Sequence, residues 1–204
     1  MCWELLYIDF VYSYGDESYI KSFIDIPPGE IVLRNTDELN LFRHPHIELW
    51  HRFLRDVFNP MICLREKALI LPCSGIKPYR LSVTHRVAES IIDRYGLRDS
   101  IQVYILSEPM IIVPRELDIY YPFANYDYPP RELDGFYRDM FIDLLSIVIP
   151  RLRHYKKIVA ILPKHHKNIL LRSIERAGVE LDIEIVDYGR KAFESIRKGI
   201  ELLI

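Results

Sequence analysis

The chain has 204 residues, 50% hydrophobic and 27% charged, with 27 Lys and Arg against 29 Asp and Glu. At roughly 100 to 200 residues per domain, that is the make-up of one globular domain with room for a real core. A formal net charge of −2 excludes a strongly basic nucleic-acid-coating surface and leaves space only for a local basic patch.

Residues 1–62 read as a hairpin and helix packed on the main body. Leu5 to Tyr14 and Tyr19 to Ile26 have the aromatic and β-branched content of strands, joined by the turn Gly15-Asp16-Glu17. After the break at Pro27-Pro28-Gly29, the spacing of Ile47, Trp50, Leu54, Val57 and Phe58 predicts a helix from Pro45, ended by Asn59-Pro60. His44, His46 and His51 fail to share one face of it and are expected on the surface.

Residues 63–204 alternate strand and helix patterns. Ala68 to Leu71, Ile101 to Leu106, Ile158 to Leu162 and Leu181 to Val186 are the strand candidates. Ser82 to Tyr95, Phe136 to Leu152, His166 to Ala177 and Lys191 to Leu203 carry apolar residues at three- and four-residue steps. That series predicts an α/β three-layer sandwich with a central, mainly parallel sheet covered on both faces. Ser107 to Gly135 breaks the rhythm, and its prolines and tyrosines suggest an ordered wall.

The apolar runs stop far short of the ~20 residues that span a bilayer, and no signal peptide is visible. The three cysteines cannot all pair and form no ligand-like cluster. These features predict a reduced, cytoplasmic protein in which Cys2 and Cys63 are structural or incidental.

Open α/β sheets bind ligands outside the carboxyl ends of their strands. The segments to search are therefore Pro72-Cys73-Ser74 onward, Ser107-Glu108-Pro109, Pro163-Lys164-His165-His166 and Asp187-Tyr188-Gly189. Cys73 leaves a buried strand and precedes Lys77 and a helix start, a setting that favours the nucleophilic thiolate. Burial as a small hydrophobe is its bland alternative. Ser82 is placed to cap the following helix, with His85 on the first turn as either a packed side chain or a proton donor. Arg115 and Glu116 are either a loop ion pair or part of a ligand wall, and Asp127 either a turn residue or a carboxylate for a purine-like edge. Adjacent His165 and His166 point in different directions on a helix, and Cys73 and His85 lack zinc-ligand spacing, so no metal is expected.

Pro72-Cys73, three residues, Lys77-Pro78-Tyr79, two residues, Ser82, two residues, His85 resembles the signature of archaeosine synthase, the archaeal relative of tRNA-guanine transglycosylase. Val113-Pro114-Arg115-Glu116-Leu117, Tyr121-Pro122 and Ala124-Asn125-Tyr126-Asp127 resemble a second block, in which the family typically has histidine where Asn125 stands. Over roughly residues 65 to 190, the resemblance implies a uracil-DNA-glycosylase-like fold and a transferase that adds an amine, with lysine implicated, across the nitrile of 7-cyano-7-deazaguanine in tRNA. It implies no cofactor, and a partner chain supplying tRNA-binding domains. Cys73 is then the expected nucleophile, with Lys77 as its electrostatic partner or a substrate anchor and His85 as proton donor. Ser74, Pro78, Tyr79, Ser82, Ser107, Arg115, Glu116, Asn125, Tyr126 and Asp127 are the expected substrate-binding set. The competing expectation is a non-catalytic module that binds a nucleobase or RNA within a multi-subunit tRNA-modifying complex.

Overall fold

The computed structural model describes residues 2–189 and 191–204. In chain order the helices are α1 (Cys2–Tyr14), α2 (Glu17–Asp25), α3 (Pro45–Asp56), α4 (Val83–Arg94), α5 (Gly135–Val148), α6 (Lys164–Ala177) and α7 (Ala192–Glu201). The strands are β1 (Leu33–Arg34), β2 (Lys67–Pro72), β3 (Ile101–Ser107), β4 (Ile111–Pro114), β5 (Tyr126–Asp127), β6 (Lys157–Leu162) and β7 (Ile183–Asp187).

Five strands form one sheet in the order β4-β3-β2-β6-β7, parallel except for the β3–β4 hairpin. The expected strand-helix alternation thus holds, in a mixed α/β fold with helices on both faces. Period-2 alternation divides β2 between the two layers. Ala68 and Ile70 face the core shared with α3, α5 and α6, and Leu69 and Leu71 face α4 and α7. α7 lies close on β6, since a Cβ at Gly199 would meet Ile161 Cδ1 at 2.5 Å.

Residues 1–62 depart from the expected hairpin. Both presumed strands are helices, because helical period outweighs aromatic content. Trp3, Tyr7, Phe10 and Val11 recur on one face of α1 and are buried in the main core. Each such fully buried side chain contributes about 1.5–3 kcal/mol relative to exposure. The presumed turn contains a helix start instead: Asp16 caps α2, accepting from the Tyr19 amide at 2.7 Å. Cys2 and Cys63 form a disulfide with Cα atoms 5.6 Å apart, which corrects the expectation of reduced cysteines and leaves Cys73 free. His51 corrects the surface assignment of the α3 histidines, since it is buried and kept neutral by burial, its pKa pushed down to about 4. No helix among the described residues is long and apolar enough to cross a membrane.

Candidate active site at the carboxyl edge of the sheet

Chain order and strand order reverse across the middle of the sheet. From β2 the chain runs through α4 to β3 on one side, whereas β6 and β7 lie on the other. The carboxyl ends of β2 and β6 therefore flank a topological switch point, where α/β sheets open a ligand crevice. Cys73 follows β2 there, and His166 stands on the first turn of α6, which follows β6.

Three elements hold the groups that meet at this switch point. Cys73 continues the ladder, its amide donating to Leu106 O at 2.9 Å. Glu108 sits in the β3–β4 turn, which α3 pins from behind: Trp50 Nε1 donates to Met110 O and His51 Nε2 to Pro109 O, both at 2.7 Å. His166 is presented by α6, 1% exposed. Its Nε2 donates to both Glu108 oxygens, at 2.9 and 3.0 Å, and Cys73 Sγ lies 3.7 Å from Glu108 Oε2. The sulfur, one carboxylate oxygen and one imidazole nitrogen all fall within 4.8 Å of one another, and such a donor set can hold a metal ion.

Burial opposes charge on His166, but hydrogen bonds to Cys73 and Glu108 override it and push its pKa up to about 10. Burial likewise works against the Glu108 carboxylate, and His166 outweighs it, holding Glu108 below its usual range. The folded chain therefore keeps a proton on His166 that an unfolded imidazole loses near pH 6.5. Stability contributed by this charge is full below pH 6.5 and is lost as pH rises toward about 10, by at most about 1.4 kcal/mol per pH unit. Urea unfolding at about pH 7 and about pH 9 measures it. Wild type should lose more stability between them than His166→Gln, and equal losses would remove the buried charge from the site.

Lys77 lies beside this group. Its Nζ donates to Ser74 O at 3.2 Å and lies over the Tyr126 ring, 4.2 Å from the centroid. Burial lowers its pKa, against the opposing fields of Cys73, Asp127 and Glu108. Beneath it, the hydroxyls of Tyr79, Ser107 and Tyr126 form a buried hydrogen-bonded cluster. Ser74 Oγ caps its own turn, accepting from Ile76 N at 3.0 Å, and Pro78 precedes the short turn that starts at Tyr79. Cys73, Ser74, Lys77, Tyr79, Ser107, Tyr126 and Asp127 are thus gathered in one neighbourhood.

Other expected residues are engaged elsewhere. Ser82 caps α4 with its hydroxyl 3.4 Å from His85 N. His85, 2% exposed, donates from Nε2 to Pro72 O at 2.9 Å and turns Nδ1 toward Arg115. Burial and the Arg115 charge push its pKa down to about 4, so it supports the end of β2 as a neutral ring. Arg115 pairs with Glu89 at 2.8 Å and Asp118 at 2.9 Å, behind His85. Glu116 pairs with Arg65 and accepts from Gln102 Nε2 at 2.9 Å. Asn125 fastens the preceding loop, donating to Pro27 O and Glu30 O, both at 2.8 Å. Glu108 and His166 form a pair that local sequence pattern does not join. Both lie in segments that follow predicted strands, which was the available signal.

A family model described as a domain of unknown function (DUF5591) matches residues 47–200. Archaeosine synthase subunit alpha of Thermoplasma acidophilum is 40% identical over 74% of this chain and 29% of its own length. The chain belongs to the archaeosine synthase family. Two further family members of the same name come from Methanosarcina acetivorans, 30% identical over 55% of this chain and 18% of its own length, and Thermococcus kodakarensis, 28% identical over 79% and 28%. The chain thus spans less than a third of the length of the curated family members it matches. Among solved structures, the crystal structure of AF0587, a protein of unknown function, superposes with a TM-score of 0.50 at 20% identity. That match covers 76% of this chain and 49% of the other and concerns the fold alone.

Proposed function

We propose that the chain is the amine-transferring module of a tRNA-modifying enzyme, acting on the nitrile of 7-cyano-7-deazaguanine in tRNA, with lysine as the amine. The observation that carries this reading is the convergence of a free thiol with a buried Glu108–His166 pair at the switch point of the sheet. The names of the curated relatives support the substrate class.

In this reading the Cys73 sulfur attacks the nitrile carbon. One S–C bond forms, one C–N π bond breaks, and the nitrogen takes a proton from His166, giving a thioimidate. A thiolate would sit with two cations, His166 and Lys77, and one anion, Glu108, so attraction outweighs repulsion by charge count. The incoming neutral amine then adds to the same carbon, the S–C bond breaks to return the thiolate, and the one proton the amine gives up goes back to His166. The sum is nitrile plus amine to amidine, with no redox change. Lys77 and the Tyr79–Ser107–Tyr126 cluster position the base, and Asp127 offers a carboxylate to its amidine edge. His85 is a positioning residue for the Pro72 carbonyl rather than the proton donor.

The same reading makes the sheet a uracil-DNA-glycosylase-like scaffold, in which a base leaves its stack to enter the crevice. Domains that grip the rest of the tRNA would come from outside this chain. Mass spectrometry of nucleosides from tRNA carrying 7-cyano-7-deazaguanine, incubated with the chain, lysine and a co-purifying partner, tests it. Appearance of the lysine adduct is expected, and its absence with the partner supplied would favour a non-catalytic base-binding module.

A further inference from the structure

We propose that a cationic groove beside the Cys73 cluster grips the RNA backbone next to the target base. This rests on the function proposed above and adds to it the surface that holds the substrate.

The groove, about 940 Å³, lies between the start of α5 and the first turns of α6. Its polar walls are Arg131, Arg138, Lys164, His165, Asn168 and Arg172, and no carboxylate lines it. Among the described residues, Arg131, Arg138 and Lys164 are exposed and make no ion pair. Arg138 instead donates to Leu133 O at 3.2 Å, and Arg172 makes an exposed contact of 3.5 Å to Asp139. The first turn of α6 has no acidic residue, and Pro163 ahead of it supplies no side-chain cap, so the helix adds its own positive end to the same side.

His165 joins the groove to the site. It lines the former, and its Nε2 lies 3.9 Å from Glu108 Oε1 in the latter. A polyanion seated along Arg131, Arg138 and Lys164 would therefore pass directly beside the crevice. The lining has no Phe, Tyr or Trp on which successive bases could stack, while arginine and lysine are the usual phosphate partners. Because the chain as a whole carries a formal charge of −2, a polyanion is attracted only where cations are gathered locally.

The test is binding of an unmodified, fluorescein-labelled tRNA transcript by the chain, followed by anisotropy across a KCl series. Wild type should bind in the micromolar range at low salt and weaken steeply as salt rises. Arg131→Glu/Lys164→Glu should weaken binding about tenfold or more and reduce the slope of log K against log salt by roughly 1.4 to 1.8, two phosphates' worth. Arg131→Gln/Lys164→Gln should reduce the slope by the same amount with a milder loss, which separates lost contacts from misfolding. Arg197→Glu, on α7 and away from the groove, should bind as wild type. Unchanged slopes in both double variants, no RNA binding by wild type, or displacement by poly-glutamate as effective as by RNA would overturn the proposal, the last in favour of an acidic protein. Because the transcript carries no nitrile, the outcome is independent of whether amidine forms.

Discussion

Cys73→Ala is expected to abolish amidine formation, lowering the rate by at least about 10³-fold, because the free thiol is the group proposed to form the covalent intermediate and a thiolate is a far better nucleophile than the hydroxyls around it. Cys73 is the free cysteine of the chain, the other two being joined, so the same variant removes all labelling by iodoacetamide under native conditions. A more direct readout is intact-mass spectrometry after mixing wild type with tRNA carrying 7-cyano-7-deazaguanine, omitting the amine and adding nuclease. A covalent adduct on the denatured chain is expected, and it should vanish on adding lysine before the quench. Undiminished conversion by Cys73→Ala would end the covalent reading and leave the crevice as a positioning device.

His166→Gln is expected to slow the reaction by roughly 10² to 10⁴, the range for removing a proton donor from the transition state. The loss should fall on kcat with KM little changed, since the imidazolium acts on the developing nitrogen anion and not on the resting base. Glu108→Gln makes a sharper test. The carboxylate is one of the groups that hold His166 charged well above its ordinary pKa. Removing it should move the alkaline limb of the rate profile to lower pH, because His166 then loses its proton sooner. His85→Ala should leave that limb in place, its ring being neutral and bonded to Pro72 O. A His166→Gln enzyme with wild-type kcat, or a Glu108→Gln profile that does not move, would show the pair to be structural.

β2, β3 and β6 were legible because their apolar runs are buried on both faces, whereas β4 and β5 fall inside Ser107 to Gly135, where prolines and tyrosines hid them. Cys73 was legible for the same reason, as the first residue beyond a run that could only be a central strand. His166 and Glu108 were not, because they stand 58 residues apart and neither has a local partner. What joins them is strand order, and the reversal of order at β2 and β6 is a long-range property that no local pattern encodes. His85 misled by its nearness in sequence to Cys73: three residues past Ser82, the helical turn carries its ring inward, onto the carbonyl before the cysteine. Arg115 and Glu116 misled because adjacent opposite charges in a loop look like a pair, whereas each side chain finds its own partner, Glu89 and Arg65. α1 and α2 were misjudged by composition, since their tyrosines and phenylalanines suit strands while their spacing suits helices.

The separate origins of Cys73, Glu108 and His166 bear on how the molecule is made. During synthesis the thiol leaves the ribosome well before the helix that carries His166, and β6 must dock against β2 before that helix can bring its imidazole to the sulfur. Until then the cysteine has no imidazole beside it. On the proposed mechanism, a truncated or stalled product ending before α6 would therefore carry the Cys73 motif without the imidazole that completes the cluster.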